Sequence, residues 1–151
     1  MKQLATFSVD GRFLGVDVTR VREVRRPQEL TRVPLASPQI AGLINLRGEI
    51  VTALDLRVAL GRAPCGRDER PMNVVVTTER GPVSILVDDV SDVLDLDEDA
   101  IERPPSTLRG SARDLILGAY KLDGRLLLEL DLDALIANTS PSGIDAEVDD
   151  R

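Results

Sequence analysis

The sequence predicts an all-β domain of many short strands, arranged as a barrel or sandwich, and three observations lead there. The first is the make-up of the core: 42% of the residues are hydrophobic, yet Phe7, Phe13 and Tyr120 are the only aromatics, so Leu, Val and Ile must fill the interior, a usage that favours strands. The second is alternation. "QLATFSVDGRFLGVDV" places Ala5, Phe7 and Val9, then Leu14, Val16 and Val18, at alternate positions around Asp10-Gly11, a dipeptide suited to a hairpin turn with positive φ. The third is spacing: β-like runs at Gly42 to Leu46, Ile50 to Leu54, Met72 to Thr77, and Val83 to Val87 continuing to Leu94 are separated by turn-rich pieces such as "RRPQELTRVPLASPQ" and "GRAPCGRDERP".

A second alternating stretch, "YKLDGRLLLELDL", turns on Asp123-Gly124 and echoes the first hairpin, which suggests similar hairpins in two subdomains. Helix is the minority state. Its best candidates are "DLRVALG" over 55–61, with Asp55 as N-cap and Gly61 as stop, and "DLDALIA" over 131–137. Residues 1–137 form the expected domain, one core or two small subdomains sharing one, a size that buries about 68–70% of the unfolded surface. The stretch 138–151 is polar and acidic and is expected to be a disordered tail.

The charge and the missing residue types narrow the function. A net charge of −7 opposes the phosphate neutralisation that nucleic-acid or anionic-membrane binding requires. No secretory leader pattern and no run of eighteen apolar residues is present, so the expectation is a cytoplasmic protein without direct membrane insertion. With no histidine, a Ser-His or Cys-His catalytic pair is impossible and the commonest zinc ligand is gone. The lone Cys65 reads as a surface-loop thiol. Asp95, Asp97 and Asp99 alternate like a calcium loop, but Ala100 replaces the required glycine and Ser106 the bidentate glutamate. Asp97 or a neighbour is instead expected to cap a short turn before Pro104-Pro105. No phosphate-cradling glycine loop and no nucleophile elbow occurs. The expectation is a binding module: no catalytic residue, no metal and no cofactor.

One stretch stands apart, "IAGLINLRGEIVTALDL", in which Arg47-Gly48 interrupts two aliphatic runs. Gly42, Asn45, Leu46, Arg47, Gly48, Ile50, Asp55, Leu56 and Arg57 fit the Gly-x-x-Asn-Leu-Arg-Gly-x-Ile-x-Pro-x-x-Asp-Leu-Arg pattern of the CheW family of chemosensory coupling proteins, with Thr52 where many members have proline. "FSVDGRFLGVDVTRVREV", "SILVDDVSDVLDL" and "ILGAYKLDGRLLLELDLDAL" resemble further family segments in order, so the resemblance covers residues 3 to about 137. The loop 61–71 offers no match, and no receiver domain follows, so a bare coupling domain is expected rather than the two-part CheV type.

The resemblance implies two small five-stranded SH3-like barrels sharing an aliphatic core, with short connecting helices. It implies a non-catalytic adaptor, joining the cytoplasmic tip of methyl-accepting chemoreceptors to a CheA-type histidine kinase. The matched positions give Val18, Val21, Glu23, Arg47, Val90 and Val93 as the expected receptor-binding set, and Leu30 and Ile50 as the kinase-binding candidates. For Arg47 two readings stand: a fork with Glu23 that shapes a receptor groove, or hydrogen bonds to loop carbonyls with the stem laid on the core. The same fold in a non-flagellar system, for twitching motility or development, is an alternative. A generic SH3-like interaction domain is another, disfavoured by the scarcity of aromatics.

Overall fold

The computed structural model describes residues 1–64 and 70–139; Cys65 and tail residues 140–151 lie outside them. Ten strands form two five-stranded sheets. In chain order the strands are β1 (Lys2–Val9), β2 (Arg12–Asp17), β3 (Val21–Arg25), β4 (Ile40–Leu46), β5 (Glu49–Asp55), β6 (Met72–Thr78), β7 (Gly81–Val87), β8 (Asp89–Leu96), β9 (Ile116–Leu122) and β10 (Arg125–Leu130). The helices are α1 (Leu56–Ala59), α2 (Ser111–Asp114) and α3 (Leu132–Asn138). One sheet runs β8-β1-β2-β10-β9 and the other β3-β6-β7-β5-β4.

These orders carry the same pattern of pairing. In each sheet two antiparallel ladders are followed by a parallel one, β2 with β10 or β7 with β5, and then by another antiparallel ladder. The halves of the chain are therefore pseudo-equivalent, and the β1–β2 and β6–β7 hairpins have changed places, each completing the sheet built by the opposite half. The likeness extends to irregularities. β3 lays Val21 against Val76 and Val24 against Val74, with a bulge in that ladder; β8 lays Val90 against Phe7 and Val93 against Ala5, again with a bulge. Both Asp-Gly hairpins, by contrast, fall in one sheet, so the expected division of the two between subdomains is corrected: the counterpart of β9–β10 is β4–β5, turned by Arg47-Gly48.

The predicted continuous strand from Val83 to Leu94 is likewise divided. At Asp88 the chain leaves one sheet for the other, with its backbone N–H donating to the Ser8 carbonyl at 2.9 Å. Helix α1 is capped by Asp55, which accepts from the Arg57 N–H, and Gly61 follows it with φ +79°, as the sequence suggests. Asp131 caps α3 through the Ala134 N–H, and Asp97 caps a 3-10 turn over Glu98–Ala100. Helix α3 continues through Asn138, and Thr139 is buried. Helix α2 carries no strong start signal, and sequence reading missed it; Gly110 precedes it without a side-chain cap.

Exchange makes the central strands two-faced. Val74 and Val76 enter a large core shared by both sheets, with Phe7, Leu14, Leu54 and Leu128. Val75, between them, enters a smaller cluster with Ile44, Val51 and Leu86, and Leu4, Leu96, Tyr120 and Leu127 fill the equivalent space in the other sheet. Burial on both faces explains why "VVV" is continuous where a half-buried strand would alternate.

Each sheet curls, and a bridge from the segment after one end strand reaches the opposite end strand: Thr31 with Leu43, and Glu102 with Ala119. A glycine precedes each bridged residue. A Cβ on Gly42 would lie 2.5 Å from the Thr31 carbonyl oxygen, and one on Gly118 2.6 Å from that of Glu102. Gly118→Ala is therefore expected to open this contact and to cost about 1–3 kcal/mol, read as a lower urea midpoint. The first sheet also buries a charge. Glu129 is 2% exposed and is held by Lys2 at 2.6 Å and by the Tyr120 hydroxyl, where the pseudo-equivalent residue is Ala53. Lys2→Met should destabilise by about 1–3 kcal/mol, and adding Glu129→Leu together with Tyr120→Phe should recover most of that loss, since replacing all the partners with apolar groups removes the stranded charge and leaves no buried hydroxyl without its acceptor.

Candidate partner-binding surface

The β4–β5 turn holds Arg47 at φ +54° and Gly48 at φ +90°, the paired left-handed conformation of a tight hairpin turn. Asn45 steadies it, its Oδ1 accepting from the Gly48 N–H at 2.8 Å. An arginine in this conformation carries a local strain that a glycine or asparagine would avoid. Its side chain is 66% exposed and reaches Glu23 of β3, Nη2 donating to Oε2 at 2.9 Å. The expected pair thus forms, through one nitrogen rather than as a two-armed fork.

Glu23 is the hub of a larger network. Arg22 donates to the same Oε2 at 3.3 Å and to Glu49 at 2.8 Å, and Arg25 approaches Oε1 at 3.4 Å. Desolvation pushes the Glu23 carboxyl up, but the Arg22 hydrogen bond and the charges of Arg47, Arg22 and Arg25 outweigh it, leaving it below the ordinary glutamate range. Two contacts, Arg47 to Glu23 and Arg22 to Glu49, tie the hairpin tip to the end strand β3. Sequence reading missed Arg22, Arg25 and Glu49; the signal was "VREVRR", a run of arginines on a strand of an otherwise acidic chain.

The expected apolar anchors occupy related places. Val21 and Val90 are half-buried, pack against the shared core and are pseudo-equivalent on β3 and β8. Val93 is half exposed. Val18 sits in a 3-10 turn between β2 and β3 and lines a recess of about 610 Å³ with Asp17, Glu98, Leu117 and Tyr120. Leu30 and Ile50 lie elsewhere, on the β4 side of the second sheet: Leu30 adjoins the Thr31 bridge to Leu43, and Ile50, 59% exposed, opposes Asn45. Leu30 and Ile50 thus lie with the other sheet from Val90 and Val93, whereas Ile50 shares the β4–β5 hairpin with Arg47.

A second electrostatic joint braces the crossing into β8. Arg57 of α1 grips Asp88 with both Nε and Nη2 at 2.8 Å, while Asp88 also accepts from the Asp10 N–H at 2.7 Å. Arg62 holds Asp10 at 3.0 Å. Burial pushes the Asp88 carboxyl up, yet the Arg57 hydrogen bond, the Asp10 N–H and the Arg57 charge together hold it below the ordinary aspartate range. No group of three or more potential metal ligands converges among the described residues.

A family model described as the CheW-like domain matches residues 3–140. "Chemotaxis protein CheW" of Klebsiella aerogenes is 30% identical over 144 residues, covering 95% of this chain and 87% of the relative. "Probable chemotaxis protein CheW" of Rhizobium etli is 30% identical over 138 residues, covering 91% and 89%. Among solved structures, the scaffolding protein TtCheW from Thermoanaerobacter tengcongensis superposes with a TM-score of 0.78 at 30% identity, covering 89% of this chain and 86% of that one.

Two stability predictions follow from the ion pairs. A depressed carboxyl stabilises fully above its unfolded pKa, near 4, and loses that contribution as pH falls through the lower folded value. Asp88→Asn should therefore cost on the order of 1–2 kcal/mol at pH 7, with the gap to wild type narrowing in urea titrations as pH falls below the ordinary aspartate range. Arg47→Ala, at an exposed pair, should change stability by no more than about 1 kcal/mol. With two exchanged-hairpin sheets, the Asn-Leu-Arg-Gly turn in place and the match running nearly end to end, this chain belongs to the CheW family.

Proposed function

We propose that this protein is a non-catalytic coupling adaptor of bacterial chemosensory signalling, joining the cytoplasmic tips of methyl-accepting chemoreceptors to a CheA-type histidine kinase. Its membership of the CheW family across the folded chain is the observation that carries this reading; the relatives are named as chemotaxis proteins and the structural neighbour as a scaffold. No helix among the described residues is long and apolar enough to cross a membrane, and we place its work in the cytoplasm, associated with membrane receptor arrays through its partners.

The receptor face is assigned to Val18, Val21, Val90 and Val93, with Glu23 and Arg47 fixing the neighbouring turn. The kinase face is assigned to Leu30 and Ile50. Support comes from exposure: the half-buried valines offer apolar anchors to an amphipathic helical hairpin, while the exposed Leu30 and Ile50, with the other sheet from Val90 and Val93, offer the kinase a surface that begins beside the Arg47 turn. An adaptor needs two such surfaces, since a shared one would make its partners competitors. Single contacts of this kind are modest, in the micromolar range, and many copies in an array turn them into avidity.

A reconstitution tests the assignment: a soluble receptor cytoplasmic fragment on beads should retain the kinase only when this protein is added. Val21→Lys should abolish receptor capture with an unchanged circular-dichroism spectrum; a collapsed spectrum would assign Val21 to the core instead. Ile50→Asp should weaken kinase binding by about ten- to a hundredfold and spare receptor capture. Receptor capture lost with Ile50→Asp, or kinase binding lost with Val21→Lys, would contradict the separation of the faces.

A further inference from the structure

The two pseudo-equivalent end strands differ in charge. Strand β3 and the residues beside it carry Arg20, Arg22, Arg25 and Arg26 around Val21; Glu23 is engaged by three arginines, and Arg22 and Arg20 also reach Glu49 and Asp133, so that with Arg47 five arginines stand against three carboxylates. Strand β8 carries Asp89, Asp92 and Asp95 around Val90 and Val93, all exposed. No cation among the described residues pairs with these three; Asp89 accepts from its neighbour's N–H and Asp95 from Gln3. The contrast reaches the facing hairpin tips. Where Glu23 meets Arg47, the pseudo-equivalent positions are Asp92 and Asp123, two carboxylates that make no such pair.

Resting on the receptor reading above, we infer that the β8 face recognises a basic side chain of the docked helical hairpin, set beside the apolar residue that seats on Val90 and Val93. The hairpin engages β3 with its acidic side, so a charge-polarised partner fits in one orientation only. Opposite charges on the two strands supply what the valines cannot. Apolar contacts give affinity without direction, whereas like charges brought together in the reversed orientation are penalised, and complementary ones speed encounter. Asp92 suits this role because the Thr6 hydroxyl donates to its backbone carbonyl and leaves the carboxylate exposed.

The test is binding of a soluble receptor cytoplasmic fragment to full-length wild type, Asp92→Asn, Asp92→Arg and Val90→Lys, at about 50 mM and 500 mM salt, with the kinase regulatory domain as a second ligand. Asp92→Arg is expected to weaken receptor binding at least tenfold at low salt, Asp92→Asn less, with both deficits shrinking at high salt and kinase binding unchanged. Loss of binding in Val90→Lys with Asp92→Arg still at wild-type affinity would overturn the charge inference and leave the receptor face standing. Absence of receptor binding by the folded wild type would overturn both.

Discussion

The β1–β2 hairpin lies in the sheet built by the C-terminal half, the β6–β7 hairpin lies in the sheet built by the N-terminal half, and this exchange is the constraint on which the rest depends. Neither sheet exists without strands from both halves of the chain. The strands that cross over are buried on both faces, so their residues divide between the shared core and the cluster inside each sheet. The crossings are pinned where they occur: Asp88 by Arg57, and Arg20 by Asp133 at 3.1 Å. Arg57 and Asp133 are pseudo-equivalent and their partners stand one position apart in the repeat, so the two joints are related with the charges reversed. The first is bidentate and largely shielded. The second is exposed at its carboxylate and contributes little.

With its centre so fixed, the molecule is free to vary its surface. The two end strands β3 and β8 share one pattern, Val-x-x-Val-x-x-Val counted from the residue before each crossing, and the same bulge, yet one is basic and the other acidic. The turns opposite them diverged as well: Arg47 ties its hairpin tip to β3, whereas Arg125 on the other tip stacks 3.5 Å above the Phe13 ring. A symmetric scaffold thereby presents asymmetric faces. That is what a coupling protein requires, since its partners must not be interchangeable.

Much of this was legible in the residues. The Asp10-Gly11 turn, the strands flanking Arg47-Gly48 and the caps Asp55, Asp97 and Asp131 each rest on local chemistry that operates without tertiary help. The pairing of Glu23 with Arg47 was accessible through the family motif, not through spacing. What escaped was non-local. The break at Asp88 is hidden because both flanking segments are good strands, and only the partner sheet decides where one ends. The repeat could have been found by laying "IAGLINLRGEIVTALDL" over "ILGAYKLDGRLLLELDL", where Gly42, Gly48, Leu54, Asp55 and Leu56 recur as Gly118, Gly124, Leu130, Asp131 and Leu132. The Asp-Gly dipeptide drew attention to the wrong pair of hairpins, because a turn preference says nothing about which strands will pair.

The measurement that bears most directly on the central claim is calorimetric titration of this protein with the regulatory domain of its own cell's CheA-type kinase, wild type and Arg47→Ala in parallel. The account predicts saturable binding by wild type and equal affinity for Arg47→Ala, because the arginine belongs to the receptor side. No binding by folded wild type would contradict the coupling role with that kinase, and a selective loss in Arg47→Ala would contradict the division of the surface into two faces.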